Sequence, residues 1–195
     1  MRFRLVLQSG DIVQPDGILR KGTVIIEDGT ISSVMHSSEY HSHESDTTIQ
    51  CDGYFVCPGF IDIHIQGGGG FSVVDGAEES IEGMARAHAA HGTTGLLVTP
   101  PVEDPTFRTL LPLLAKTVGS DTGGAAVLGI HAEGPFVNPA RAGCMPLSGI
   151  HVPDTVLLDE IIGCADGTLS EMTIAPVDAR SDHSEQRRHE NLPCH

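Results

Sequence analysis

Residues 58–70 read Pro58-Gly59-Phe60-Ile61-Asp62-Ile63-His64-Ile65-Gln66-Gly67-Gly68-Gly69-Gly70. The run from Phe60 to Ile65 is mostly apolar, with Pro-Gly before it and a glycine cluster behind it. A short apolar run with such flanks predicts a strand buried on both faces, the form strands take in parallel sheets. The glycine cluster predicts a flexible strand-to-helix loop. It lacks the lysine and hydroxyl residue of a P-loop.

Downstream, helical and strand patterns alternate. Ile81, Met84, Ala85 and His88 recur at helical spacing within 77–91, and Gly92 suits the stop. Thr93-Thr94-Gly95-Leu96-Leu97-Val98-Thr99 predicts the next strand. Asp104-Pro105 is a cap and first-turn pair. It opens a helix with Phe107, Leu110, Leu111 and Leu114 on one face, kinked at Pro112. Residues 125–131 predict a third buried strand. Pro153-Asp154 opens a helix carrying Val156, Leu157, Leu158, Ile161 and Ile162, and residues 171–175 predict a fourth strand. The order β-α-β-α-β-α-β requires a parallel sheet with right-handed crossovers. A doubly wound sheet and a (β/α) barrel both satisfy it. A full barrel takes about 250 residues, and residues 58–176 supply close to half of one.

Upstream, residues 1–57 read as short strands and turns, with Asp28-Gly29 between two β-rich runs as a hairpin signal. Residues 36–48, HSSEYHSHESDTT, predict an exposed loop in which His36, His41 and His43 are solvated. From Val177 the chain reads VDARSDHSEQRRHENLPCH, with almost no apolar residues and no periodicity. That stretch predicts a disordered tail where a fourth helix would start. It reads like a different frame or an alternative exon.

Composition narrows the function classes. Among 195 residues, 11 Lys and Arg face 26 Asp and Glu, a formal charge of −15. So acidic a surface repels phosphate backbones and argues against nucleic-acid partners. No apolar run approaches the roughly 20 residues of a membrane-spanning helix, and the short apolar stretch at the N-terminus is not a signal-peptide core. The five cysteines, Cys51, Cys57, Cys144, Cys164 and Cys194, are widely spaced and form no CxxC pair. That predicts a reduced, cytoplasmic protein rather than a disulfide framework.

Two short segments can carry chemistry. His64 and Gln66 are two apart on a strand and so share a side. At the C-terminal end of a barrel strand, both face the mouth where barrel sites lie. Imidazole is a common zinc ligand and an amide a weak one. In His131-Ala132-Glu133-Gly134-Pro135-Phe136, a glutamate ends a buried strand just before Gly-Pro breaks the backbone. A buried carboxylate needs a partner, a proton or a metal. A salt bridge and a metal site both answer that need.

GTVIIEDGTISSV followed by PGFIDIHIQGGGG resembles the opening of amidohydrolase-superfamily enzymes. HGTTGLLVTP, LGIHAEGPFVNPARAG and MTIAP resemble one branch, the N-acetylglucosamine-6-phosphate deacetylase family. The resemblance runs from about Leu5 to Pro176. It implies an α/β fold: a partial (β/α)8 TIM-type barrel of about four βα units, preceded by part of a small β-sandwich. The domains are then 1–57, 58–176 and the divergent tail 177–195. It implies a divalent metal, zinc first, with Glu133 as ligand, His64 as a possible second and Gln66 as a weak one. Family members with two histidines at the His64 and Gln66 positions hold a second metal. Sugar contacts are implied at Gly143-Cys144-Met145, where the family has Gly-small-His. Met145 replaces that histidine, and a thioether cannot donate a hydrogen bond. The resemblance further implies an amino sugar phosphate substrate and a homodimer at full length. The family's later metal ligands and its catalytic aspartate on the eighth barrel strand have no counterpart here. The expectation is a deacetylase half-chain, inactive alone. Two alternatives are another metal-dependent N-acyl amidohydrolase and a non-catalytic product that binds a full-length subunit.

Overall fold

The computed structural model describes residues 3–103 and 105–175. Its contacts divide the chain between Pro58 and Gly59. The first unit holds β1 (Arg4–Gln14), β2 (Gly17–Glu27), β3 (Thr30–His36), β4 (Asp46–Gln50) and β5 (Phe55–Val56). These make one sheet in the order β3-β2-β1-β4, with β5 also on β1. The expected hairpin joins Glu27 to Thr30. Asp28 and Gly29 both take positive φ, 50° and 81°, as a two-residue turn of primed type requires. Val6, Ile12, Val24 and Ile25 are buried. His36, His41 and His43 are exposed, as expected of the polar loop.

One polar cluster ties β1 to β4. Arg4 reaches the Asp46 carboxylate at 2.6 Å. The Tyr40 hydroxyl donates to the same carboxylate, and the His43 N–H does so at 2.8 Å. These donors, Tyr40 foremost, hold the Asp46 carboxyl below the usual aspartate range. Burial, then the bond to Asp46, pushes the Tyr40 phenol upward.

The second unit contains β6 (Phe60–Ile65), β7 (Gly67–Gly68), β8 (Phe71–Ser72), α1 (Glu78–Ala89), β9 (Thr93–Val98), α2 (Phe107–Thr117), β10 (Ala126–Val137), α3 (Thr155–Cys164) and β11 (Leu169–Ala175). β6, β9, β10 and β11 form a four-stranded sheet in the order β11-β10-β9-β6, and every pairing in it is parallel. The alternation read from the sequence is thus observed, and the sheet is half the eight strands of a (β/α)8 barrel. Its core joins Ile81 and Met84 of α1, Leu96 and Val98 of β9, Leu111 and Leu114 of α2, Ile130 of β10 and Ile161 of α3. The Asp154 side chain caps α3 by accepting from the Val156 and Leu157 N–H groups.

Several expectations are corrected. β6 is not buried on both faces: Phe60, Ile61 and Ile63 are 66%, 63% and 53% exposed. The strand is an edge of the sheet, paired only with β9 among the described residues, so hydrophobic composition alone does not cover it. The glycine cluster is not a plain loop. Gly67 and Gly68 pair antiparallel with Ser72 and Phe71, and His88 Nε2 contacts the Gly67 carbonyl at 3.2 Å. Gly134-Pro135 does not end the third strand. β10 continues through a cis peptide there to Val137, with a ladder irregularity between Glu133 and Val137. Pro112 does not interrupt α2, which runs from Phe107 to Thr117. On α3 only Ile161 is buried, and Val156 and Ile162 face outward. Asp104 and the tail 177–195 lie outside the described residues.

Two outcomes follow from this packing. Leu111→Ala removes a fully buried side chain and should cost about 2–5 kcal/mol. Val156→Ala, at a site 75% exposed, should stay within about 0.5 kcal/mol. Urea titration of the two variants checks the contrast. For Asp46, a folded-state pKa below the unfolded one stabilises the fold above the unfolded value. That contribution is lost as pH falls through the lowered folded pKa. The first unit should therefore weaken on acidification below about pH 4. In Asp46→Asn that part of the acid limb should be missing, as followed by tyrosine fluorescence in denaturant at a series of pH values.

Candidate functional site

Parallel pairing sends every strand's C-terminal end to the same edge of the sheet. β6 delivers Ile63, His64 and Gln66 there, and β10 delivers His131 and Glu133. Glu133 is anchored through its backbone: its N–H donates to the Pro100 carbonyl at 3.1 Å, and its carbonyl accepts from Val102 N–H at 3.1 Å. Gln66 is anchored likewise, its carbonyl accepting from Val73 N–H at 2.8 Å.

The side chains meet. The Gln66 amide donates to Glu133 Oε2, and His64 Nε2 lies 3.8 Å from Glu133 Oε1. The same-side reading of His64 and Gln66 thus brings both to one carboxylate. The Glu133 side chain is 24% exposed and that of His64 is 45% exposed. The carboxylate therefore sits at a mouth open to solvent, not in a sealed core. The exposure rules out a large contribution to stability from the Glu133–His64 contact. A surface carboxylate beside an imidazole and an amide is better arranged to receive a ligand than to hold the fold.

Beneath this trio lies a residue that the sequence reading passed over. His131 is 8% exposed, and its ring is edge-on to His64 with centroids 4.9 Å apart. Its Nδ1 contacts the Ile63 carbonyl at 2.7 Å, and its Nε2 contacts Thr173 Oγ1 at 2.8 Å. Glu171 Oε2 is 3.5 Å from Nδ1. A signal for it was present: His131 is two residues before Glu133 and so shares its side of the strand. Thr173 and Glu171 had no such signal, because their place opposite Glu133 and His131 is a matter of register between β10 and β11.

No family model matches the chain. N-acetylglucosamine-6-phosphate deacetylase of Bacillus subtilis (strain 168) is 31% identical over 193 residues, covering 97% of this chain and 48% of the relative. N-acetylgalactosamine-6-phosphate deacetylase of Escherichia coli O157:H7 is 28% identical, covering 88% of this chain and 44% of the relative. The chain is a relative of the N-acetylglucosamine-6-phosphate deacetylases. It spans about half the length of the curated relatives it matches. Among solved structures, a mutant N-acetyl-D-glucosamine-6-phosphate deacetylase of Mycobacterium smegmatis, in complex with N-acetyl-D-glucosamine-6-phosphate, superposes with a TM-score of 0.77. It is 24% identical and covers 88% of this chain and 43% of that one. The likeness shows a shared fold, and it settles the barrel reading over the doubly wound one.

In this deacetylase relative, the segment after Glu133 turns back over the strand end. Cys144 is exposed and Met145 half-buried. A Cβ on Gly134 would stand 2.4 Å from Met145 Cε, so the thioether lies against the backbone beside Glu133. Gly134 also has φ of 77°, a conformation costly for other residues. Gly134→Ala should therefore destabilise the second unit by about 1–3 kcal/mol. Adding Met145→Ala should recover only the part due to the methyl collision, leaving the φ strain. A double-mutant cycle in denaturant separates the two, and full recovery would show that collision alone was at work.

Proposed function

We propose that this chain carries the first part of the active site of a metal-dependent deacetylase acting on N-acetylated amino sugar phosphates. The observation that carries the reading is the meeting of His64 and Gln66 with Glu133 at the C-terminal end of a parallel half-barrel sheet. Barrel enzymes place their chemistry at that end. The names of the relatives supply the substrate class: N-acetylglucosamine 6-phosphate and water give glucosamine 6-phosphate and acetate. Residues 1–57 are then part of a β-sandwich and 58–176 the first half of the barrel, with a cytoplasmic homodimer as the full-length form.

The donor set bears on the metal. A divalent cation, zinc first, would find one carboxylate, Glu133, and one imidazole, His64. The Gln66 amide already donates to Glu133, and a ligating amide would have to turn its oxygen inward. No group of three His, Cys, Asp or Glu side chains placed to hold a metal occurs among the described residues. Catalytic zinc takes three protein ligands as a rule, so these residues by themselves do not make a catalytic metal site. What they can do is hold one carboxylate in place at the mouth. Gln66 fixes one oxygen, and the other is left facing His64.

Cys144 and Met145 follow Glu133 at the position where the family's sugar-contacting segment lies, so we assign them to the substrate side. Met145 offers an apolar surface without a donor. That favours a changed contact to the sugar and keeps a different N-acyl substrate as the alternative within the same chemistry.

A second, non-catalytic reading has its own observation. Among the described residues, β6 and β11 are edge strands with apolar side chains exposed, including Ile61, Ile63 and Ile174. Bare edges with apolar faces pair with other chains, so a full-length subunit would be a fitting partner.

The purified 195-residue chain should release no acetate from N-acetylglucosamine 6-phosphate beyond a Glu133→Ala control, with or without added zinc. A coupled acetate assay checks this. Zinc-dependent release that Glu133→Ala abolishes would show that the half-barrel is catalytic alone. Size-exclusion of the chain with an intact deacetylase tests the other reading, which a co-eluting complex supports and separate elution sinks.

A further inference from the structure

We infer that His131 is the positioning residue of this site, a strap that crosses the sheet and sets where β6 presents His64 and Gln66 to Glu133.

The ladder between β6 and β9 pairs Asp62 with Leu96 and Ile65 with Val98, three residues against two. The extra residue leaves a local irregularity at Ile63 and His64, directly before the site. Two side chains from outside β6 repair it. The Thr99 hydroxyl, completely buried, accepts from Ile65 N–H at 2.9 Å. The His131 ring reaches from β10 past the intervening strand β9 to the Ile63 carbonyl at 2.7 Å. Such a reach is possible only where the sheet curls, so that alternate strands approach on its concave side. The contact therefore fixes both the irregular turn of β6 and its distance from β10.

Hydrogen-bond chemistry fixes the ring. A carbonyl oxygen can only accept, so Nδ1 carries the proton toward Ile63. In the neutral ring Nε2 then has a lone pair, to which Thr173 Oγ1 donates across 2.8 Å. Both ring nitrogens are satisfied, as a buried polar side chain requires. Thr173 lies on β11, so one imidazole joins three strands of the sheet: β6, β10 and β11. Glu171 Oε2, 3.5 Å from Nδ1, favours the same orientation of the N–H. His64 is held edge-on to the same ring at 4.9 Å. An edge-to-face contact fixes the plane of the His64 ring, and with it the approach of Nε2 to Glu133. No bond from His131 to Glu133 is needed for this role.

The inference uses Glu133 as the centre of the proposed site, but its test needs neither metal nor substrate. Two isosteres separate directed bonding from bulk. In His131→Asn the amide nitrogen takes the place of Nδ1 and can still donate to Ile63. In His131→Gln the amide occupies the place of Nε2 and reaches Thr173 instead. Deuterium exchange read by mass spectrometry on the peptide covering residues 60–66 reports the strap. His131→Gln and His131→Ala should speed its exchange on the order of ten-fold relative to wild type. His131→Asn should keep it near wild type, and peptides from α1 should not change in any variant. In the unaltered chain, long-range proton–nitrogen correlation should show the His131 proton on Nδ1. Equal acceleration by Asn and Gln would reduce His131 to a packing residue. A proton on Nε2, or a 60–66 segment that exchanges at unfolded rates in wild type, would also overturn the inference. Zinc-dependent acetate release by this chain would overturn the expectation of an inactive half-barrel and leave the strap standing, because these readouts need neither metal nor substrate.

Discussion

Everything in the second unit depends on parallel pairing of its strands. An antiparallel sheet would scatter strand ends over two edges. A parallel one collects them, and each helix returns the chain to start the next strand from the same side. His64 and Gln66 leave β6, Thr99 follows β9, Glu133 rides on β10 and Thr173 on β11. These residues span about half of the sequence, yet His64 and Gln66 meet Glu133, Thr173 meets the His131 imidazole, and Thr99 holds the end of β6. Parallel sheets also need cover on both faces. Helix α1 packs on β9 and α2 on β10, the two inner strands, and Leu96 and Val98 of β9 are fully buried. The outer part of the edge strand β6 has no such cover among the described residues: Ile61 and Ile63 lie open, and only Ile65 at its end is buried.

The two polar centres of the second unit differ in burial, and their chemistry differs accordingly. His131 is enclosed, with each nitrogen committed to a partner on another strand. Such a group specifies geometry, because any shift of the strands strands a buried donor or acceptor. Glu133 sits above it and nearer to water. One oxygen is held by Gln66 and the other faces His64 at 3.8 Å, too long for a firm bond. A held but incompletely satisfied carboxylate is suited to a ligand. The rigid layer below and the adaptable layer above are the order expected where a fold must present a group accurately.

Much of this was legible in the residues. Periodicity placed the helices at 78–89, 107–117 and 155–164 to within a few positions, because their apolar faces had a core to meet. Asp28-Gly29 marked its hairpin, since only small or polar residues tolerate two positive φ values in sequence. His64 and Gln66 were legible as a pair through alternation along one strand, and Glu133 joined them only through the family resemblance. The errors share one cause. Apolar composition predicts a buried β6, but burial depends on neighbours. β10 was ended at Gly134-Pro135 because that pair breaks a regular ladder, yet a strand can pass through an irregular step when both sides are held. The glycines after Gln66 pair with Phe71 and Ser72 because His88 and α1 give the ribbon something to lie on.

The sequence by itself determined the alternation of elements, the parallel sheet that alternation requires, and the two strand ends that carry titratable side chains. These follow from local spacing, which a chain expresses without reference to distant parts. Only the tertiary structure decided which side chains meet across strands. Register joins Glu133 to Thr173 and His131 to Glu171, and the curl of the sheet lets His131 reach Ile63 over an intervening strand. Register and curl are sums over many contacts far apart in the chain. No single residue announces them, and so the strap under the site became visible only once the strands were in place.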